Sequence, residues 1–223
     1  MQYVLHLRGL LTGDLGVSYA LHRPVPEVLG QHLGGTLLLA VLALVLGWLL
    51  ALVVIRLASR GGRIGALLGS LLEITAAALP HFWLGAILIL VFSSALGWLP
   101  AVSTPGFAGL ILPALTLAIP LAGFLGQVMR EGIDTSTAAG YSQAALARGE
   151  SPRGLFFRHT LRHAALPAVS LTGWAFGSLI SGAVIVETVF ARPGLGRTLY
   201  QAVPGRDVPV VVGIALVVAL AHV

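Results

Sequence analysis

The 223 residues are 57% hydrophobic and only 9% charged, with a formal net charge of +5 and a mean hydropathy of +0.95. A water-soluble domain carries roughly 25% charged residues, so the composition excludes one and points to a chain solvated by lipid. All thirteen cations are arginine, scattered rather than clustered with aromatics, which argues for contact with membrane lipid and against nucleic acid; the lack of cysteine excludes disulfides and thiolate metal sites.

Residues 1–35 are mixed in character and broken by glycine and proline. They carry Arg8, Asp14, Arg23 and Glu27 without a leading apolar core, so no signal peptide is read there. The pattern predicts a surface segment with one short amphipathic helix around Tyr3–Leu11. Thr36–Ile55 is an uncharged run of twenty residues, enough at about 1.5 Å per residue to cross a hydrocarbon core of about 30 Å. A second run, Ile74–Leu99, is interrupted by Pro80 and His81 and ends at the Gly97-Trp98-Leu99-Pro100 breaker. The third, Phe107–Met129, is expected to kink at Pro113 and Pro120 and is closed by Arg130. Ala164–Val186 is the fourth, and Pro209–Val223 begins a fifth with fifteen residues, short of the ~20 a span needs. The fold class is therefore all-α integral membrane, a polytopic helical bundle of about five spans.

Arginines 56, 60, 63, 130, 148, 153, 158 and 162 fall on one side of these spans, and arginines 8, 23, 192, 197 and 206 on the other. Eight against five places the loop 131–165 in the cytoplasm. Within that loop Tyr141–Arg148 is predicted as two turns of helix, rich in alanine. Gly149 stands where a helix stops, and Ser151-Pro152 restarts the chain with a capping hydroxyl followed by a proline at the first helical position.

Ionisable and polar groups inside a span are candidate functional sites. Glu73, at the cytoplasmic edge of the second span, is read as snorkelling to the interface. Pro80, His81, Gln127 and Glu187 are the candidate pathway or gate positions. His81 faces either a water-filled path or a carbonyl freed by Pro80; Gln127 reads as interhelical glue; Glu187 is placed to bond the glycine-rich turn after it or to touch substrate. Catalysis finds no support: there is no P-loop and no metal-ligand spacing. His159 and His163 share a helical face but lie in a basic loop with no carboxylate expected nearby. Gly177-Ser178 and Gly182 with His81 would permit a membrane protease on paper, with nothing to fix their geometry.

Gln143-Ala144-Ala145, three further residues and Gly149 resemble the EAA loop of ABC-importer permeases, Glu-Ala-Ala-x-x-x-Gly. The longer string, Tyr141, Ala145, Ala147, Arg148-Gly149, Ser151-Pro152, Arg158-His159 and Leu161-Arg162 through Pro167, is similar to the dipeptide/oligopeptide/nickel branch of that family. So are Gly13-Asp14-Leu15-Gly16 with Ser18, the string Glu187-x-x-Phe190-x-x-Pro193-Gly194-Leu195-Gly196, and Arg206-Asp207. The resemblance runs from Gly13 to about Val223. Where that branch has Arg-Thr-Ala-Arg-Ala-Lys-Gly and an acid before the tyrosine, this chain has Gln143–Gly149 and Gly140, a change that bears on the strength of ATPase pairing.

The resemblance implies the type I permease fold, with six spans in the family. Residues 1–35 would be an extracytoplasmic segment following a first span that lies outside this sequence. Residues 36–223 would be the permease domain with its coupling loop at 131–165, and the last helix and tail would continue beyond Val223. It further implies a multi-pass subunit of a bacterial or archaeal cytoplasmic membrane that imports di- or oligopeptides and is not itself an enzyme. Nickel chelates, glutathione or other small solutes are the alternative cargoes, and a truncated, non-transporting scaffold is the alternative class. The implied partners are a second homologous permease, two ATPase subunits carrying ATP and magnesium, and an extracytoplasmic substrate-binding protein; the chain itself would hold no cofactor. Coupling to the ATPase would fall to Tyr141, Gln143, Ala144, Ala145, Arg148, Gly149, Ser151, Pro152, Arg153, Arg158 and His159. The external motif would comprise Gly13, Asp14, Gly16, Pro193, Gly194, Gly196 and Asp207.

Overall fold

The first long apolar stretch forms helix α1, Val25–Arg60, in the computed structural model, which describes residues 14–222. It starts well before the expected Thr36, because Pro24 and Val25 open a helix in which Glu27 sits in the first turn, favourable to the helix dipole. At about 1.5 Å per residue this helix is about 54 Å long. Glycine marks its end: Gly61 has no room for a side chain beside Gly65, and Gly62 takes φ 58° before α2, Gly62–Ala78.

The second expected span is redrawn. Ile74 lies in the last turns of α2, and the chain breaks at Leu79-Pro80, as proline requires of the residue before it; α3, His81–Leu88, then runs into a π-helical turn, Ile89–Ala95. Helix α4, Ala108–Ala138, passes through Pro113 and Pro120 without interruption. Next come the short α5, Gly140–Ala147, and α6, Pro152–Leu155, a second π-helical turn at Phe156–Thr160, and α7, Leu161–Ser170. The fourth expected span is carried by α7 and α8, Thr172–Val189, which meet at Leu171, whose N–H donates to Pro167 O at 3.1 Å and whose carbonyl accepts from Ala175 N–H at 2.9 Å. Two helices complete the chain, α9 over Leu195–Ala202 and α10 over Val208–Leu220. Among the described residues there is no strand, only an isolated antiparallel bridge between Val17 and Pro24. Among the described residues three helices (α1, α4 and α8) are long and apolar enough to cross a membrane, or four spans if the pair broken at Pro80 is one; α10 is a shorter apolar helix. The expected Tyr3–Leu11 helix lies outside the described residues.

The chain forms two compact units. One comprises the described residues of Met1–Leu42 together with His81–Leu117 and Phe176–Val223. Its core is Val25 and Leu29 of α1 packed with Leu195 and Ala202 of α9 and Val210 and Ile214 of α10. Helix α9 buries Leu195, Thr198 and Ala202 and exposes Tyr200 and Gln201, a spacing that gives one apolar face. The other unit comprises Ala43–Pro80 and Ala118–Ala175. In it α2 and α4 approach closely through glycine: a Cβ on Gly123 would stand 2.5 Å from Ala77 N and Glu73 O. Close backbone approach at small residues is the usual basis of helix packing in lipid.

Candidate functional site

The loop after α4 is built as a stiff elbow. Ser142 Oγ donates to Ser136 O at 2.7 Å, and Ser136 Oγ lies 2.5 Å from the Tyr141 hydroxyl, so α5 is tied back onto the end of α4. The Tyr141 ring stacks at 5.1 Å on His163 of α7. Helix α5 ends in a Schellman motif. Gly149 N–H donates to Leu146 O at 2.9 Å, Glu150 N–H donates to Ala145 O at 3.1 Å, and Gly149 holds φ 84°. Restart at Ser151 is also capped, its Oγ accepting from Gly154 N–H at 3.1 Å.

This geometry sorts the expected coupling residues by face. Ala145 is 1% exposed and anchors the helix, whereas Tyr141, Gln143, Ala144, Arg148 and Gly149 present an outward surface. Ser151, Arg153 and Arg158 are exposed beside them, His159 is half-buried, and Pro152 opens α6. His159 does have a carboxylate beside it, contrary to expectation: Glu150 Oε2 lies 3.2 Å from His159 Nε2, with Arg158 Nη1 3.7 Å from Oε1. Among the described residues no group of three or more His, Cys, Asp or Glu is arranged to hold a metal. Arg56, near the end of α1, lies 5.5 and 5.2 Å from the ring centres of Phe156 and Phe157, a cation–π clamp on the π-helical turn.

Glu73 does not snorkel. It is 2% exposed and holds Arg130 of α4 in a bidentate pair, Nε to Oε2 and Nη2 to Oε1 both at 2.7 Å. Gln127 adds longer amide bonds to Glu73 O (3.4 Å) and Gly123 O (3.3 Å).

The remaining motifs form two fastenings in the other unit. Gly13 lies outside the described residues. Asp14 Oδ1 accepts from Gly16 N–H at 2.9 Å, and Gly16, at φ 76°, turns the chain toward Ser18. Ser18 donates its hydroxyl to Asp207, which also accepts from Tyr19 N–H at 3.1 Å and Ala20 N–H at 3.2 Å. Burial alone would raise the Asp207 pKa, but the Ser18 hydroxyl and these N–H donors outweigh it and hold it below the ordinary carboxylate value. A depressed folded pKa means that the fastening is at full strength above the unfolded value of about 3.9 and is lost as pH falls through the folded one. A label on Tyr19→Cys should therefore keep constant mobility from pH 7 to about 4 and loosen below it, whereas Asp207→Asn should leave it loose throughout. A mobility step near pH 6 would contradict this assignment.

The second fastening centres on Glu187, fully buried at the end of α8. Thr36 of α1 donates its hydroxyl to Glu187 Oε1 at 2.6 Å and accepts from Leu195 N–H at 2.9 Å, while Gly196 N–H donates to Oε2 at 2.7 Å. A Cβ on Gly194 would sit inside the Glu187 carboxyl group, and one on Gly35 would lie 3.1 Å from the carbonyl of the exposed Pro193. Nearby, Phe190 O accepts from Ser103 N–H at 2.8 Å and Arg192 donates to Ser103 Oγ at 3.2 Å. Of the pathway candidates, Glu187 is thus engaged with the turn. Pro80 is exposed at the helix break, and His81 is half-buried with Nε2 3.5 Å from a Cβ built on Gly182. Gln127 bonds to backbone as described. Sequence reasoning missed Thr36, Arg56, Glu150 and the Glu73–Arg130 pair; all depend on long-range pairing except Glu150, whose spacing to His159 on a helical restart was a usable signal.

The sequence matches the family model described as a binding-protein-dependent transport system inner membrane component, over residues 43–223. It is 34% identical over 212 residues to the glutathione transport system permease protein GsiC of Salmonella paratyphi A, covering 95% of this chain and 69% of that protein. The GsiC protein of Escherichia coli K12 is 33% identical over 211 residues, covering 94% and 69%. In structure the chain is similar to an amino acid ABC transporter crystallised with histidines, with a TM-score of 0.70 at 20% identity and 88% of each chain covered.

Proposed function

We propose, since this chain belongs to the inner membrane components of binding-protein-dependent transport systems, the permeases of ABC importers, that its elbow at 131–165 is the point where ATPase subunits transmit work. As a family member it is a multi-pass inner-membrane transport subunit and not itself an enzyme. Its partners would be a second related permease, two ATPase subunits that carry ATP and magnesium, and an extracytoplasmic binding protein that delivers the solute. Extracytoplasmic placement of residues 14–35 and cytoplasmic placement of the elbow follow the arginine bias.

The observation that carries this reading is the capped two-turn helix α5. It buries Ala145, turns Gln143, Ala144 and Arg148 outward, and is tied to α4 through Ser136 and to α7 through His163. A short, stiff helix with small residues outward seats in a cleft, and exposed Arg148, Arg153 and Arg158 supply rim charge complementary to an acidic partner surface. Closure of the ATPase dimer would then swing α4 and α7 together and switch access. For cargo we favour short peptides, with glutathione foremost, because the permeases it resembles are named for glutathione transport.

Gly149→Val tests the coupling. Nothing stands within 4 Å of a Cβ there, so the penalty is conformational alone. Forcing a left-handed β-branched residue costs about 1–2 kcal/mol, which shifts the balance between seated and misplaced α5 about tenfold toward the misplaced form. The expected result is import reduced about tenfold in reconstituted vesicles with the ATPase subunits still bound. Wild-type import by that variant would overturn the reading.

A further inference from the structure

Buried ion pairs in lipid-embedded helices are costly to build, and this one has had space cleared for it on both sides. A Cβ on Gly126 would meet Glu73 Cγ at 2.7 Å, and one on Gly69 would meet Arg130 Nη2 at 2.7 Å and Ala58 Cβ at 2.6 Å. Both carboxylate oxygens are spent on the guanidinium at 2.7 Å, so the pair fixes register as well as proximity. Any slide of α2 along α4 by one residue, about 1.5 Å, breaks both bonds at once. Arg130 stands on the same uninterrupted helix that leads into α5.

We propose that the Glu73–Arg130 pair is a strut that makes α2 move as one body with α4 and the elbow, so that work entering at α5 reaches α2. The two are positioning residues, and the proposal rests on the coupling reading above. Without the pair, the glycine-smoothed contact between α2 and α4 would let α2 lag, because small residues give close approach but little resistance to sliding. Gln127, bonding Glu73 O from the same face of α4, reinforces the joint.

The chain has no cysteine, so spin labels can be placed at will. Labels on Ile74→Cys in α2 and Leu146→Cys in α5, both exposed, report whether the helices travel together in the assembled importer. The distance between them is measured in proteoliposomes, nucleotide-free and after ATP–vanadate trapping, a readout that needs no knowledge of the solute. The expected result is an unchanged distance in the wild-type background and a shift of about 5 Å, one helical turn, in Glu73→Gln and Arg130→Gln. The double variant Glu73→Gln/Arg130→Gln leaves no unpaired charge to unfold the protein and should shift as the singles do. A wild-type distance that changes on trapping, or variants whose distance stays fixed, overturns the strut. If the spectrum of the Leu146 label alone does not change on trapping, the coupling reading falls and takes the strut with it; if it changes and α2 fails to follow, the strut alone falls.

Discussion

Gly196→Ala is expected to be among the most damaging single substitutions in the chain, lowering stability by about 3 kcal/mol or more. Overpacking of a well-packed site costs about 1–3 kcal/mol when side chains can yield. Here the new methyl would meet backbone, Val184 O at 2.6 Å and Val184 C at 2.8 Å, which can yield only by displacing α8. Any displacement also breaks the Gly196 N–H bond to the buried Glu187 carboxylate, a further ~1 kcal/mol. Thermal unfolding in detergent should show a marked drop, and cellular levels of the variant should fall. The contrasting control is Gly149→Ala in the elbow, where space is open and the penalty is confined to backbone strain. Equal stability of Gly196→Ala and wild type would mean that the turn after α8 is not held as described.

Arg130→Met is the second large effect. It removes one partner of a pair in which Glu73 is 2% exposed, leaving a carboxylate with nothing to neutralise it. Breaking a buried pair from one side costs about 3–5 kcal/mol, whereas replacing both members with apolar groups is often neutral or stabilising. Glu73→Met/Arg130→Met should therefore recover most of what Arg130→Met loses, a sign reversal that a purely additive packing loss cannot produce. Unfolding midpoints of the two singles and the double decide it: a double variant worse than either single would show that the pair contributes by shape rather than by charge.

How much of this was readable beforehand depends on the range of the interaction. The elbow was legible because its determinants are local: alanines propagate α5, Gly149 supplies a positive φ, and Ser151 caps the restart within three residues. Helix boundaries were less so. Hydropathy starts the first span at Thr36, but helix formation needs only backbone and capping, so α1 reaches back through polar residues to Val25. Proline acts by position: Pro80 follows the end of α2 at the expected interruption, while Pro113 and Pro120 lie inside the continuous α4. Burial of Glu73 was invisible because it is created by an arginine on another helix and by glycines that look, in sequence, like helix breakers. The outer strings were recognisable by resemblance, yet the reason for their glycines, crowding by Glu187 and Val184, needed coordinates.

The length of α1 has a consequence for the lipid around it. Even tilted by 40°, the upper end of what transmembrane helices adopt, a rod of about 54 Å projects about 41 Å along the bilayer normal, well beyond a ~30 Å hydrocarbon slab. Its ends must stand in water or among headgroups, so thinning or thickening the bilayer by a few ångströms leaves α1 in register with something polar at both ends. Helix α8 by itself is eighteen residues, about 27 Å, and is prolonged by α7 through the helical bonds on either side of Leu171. Hydrophobic mismatch therefore bears little on α1, the longest helix among the described residues.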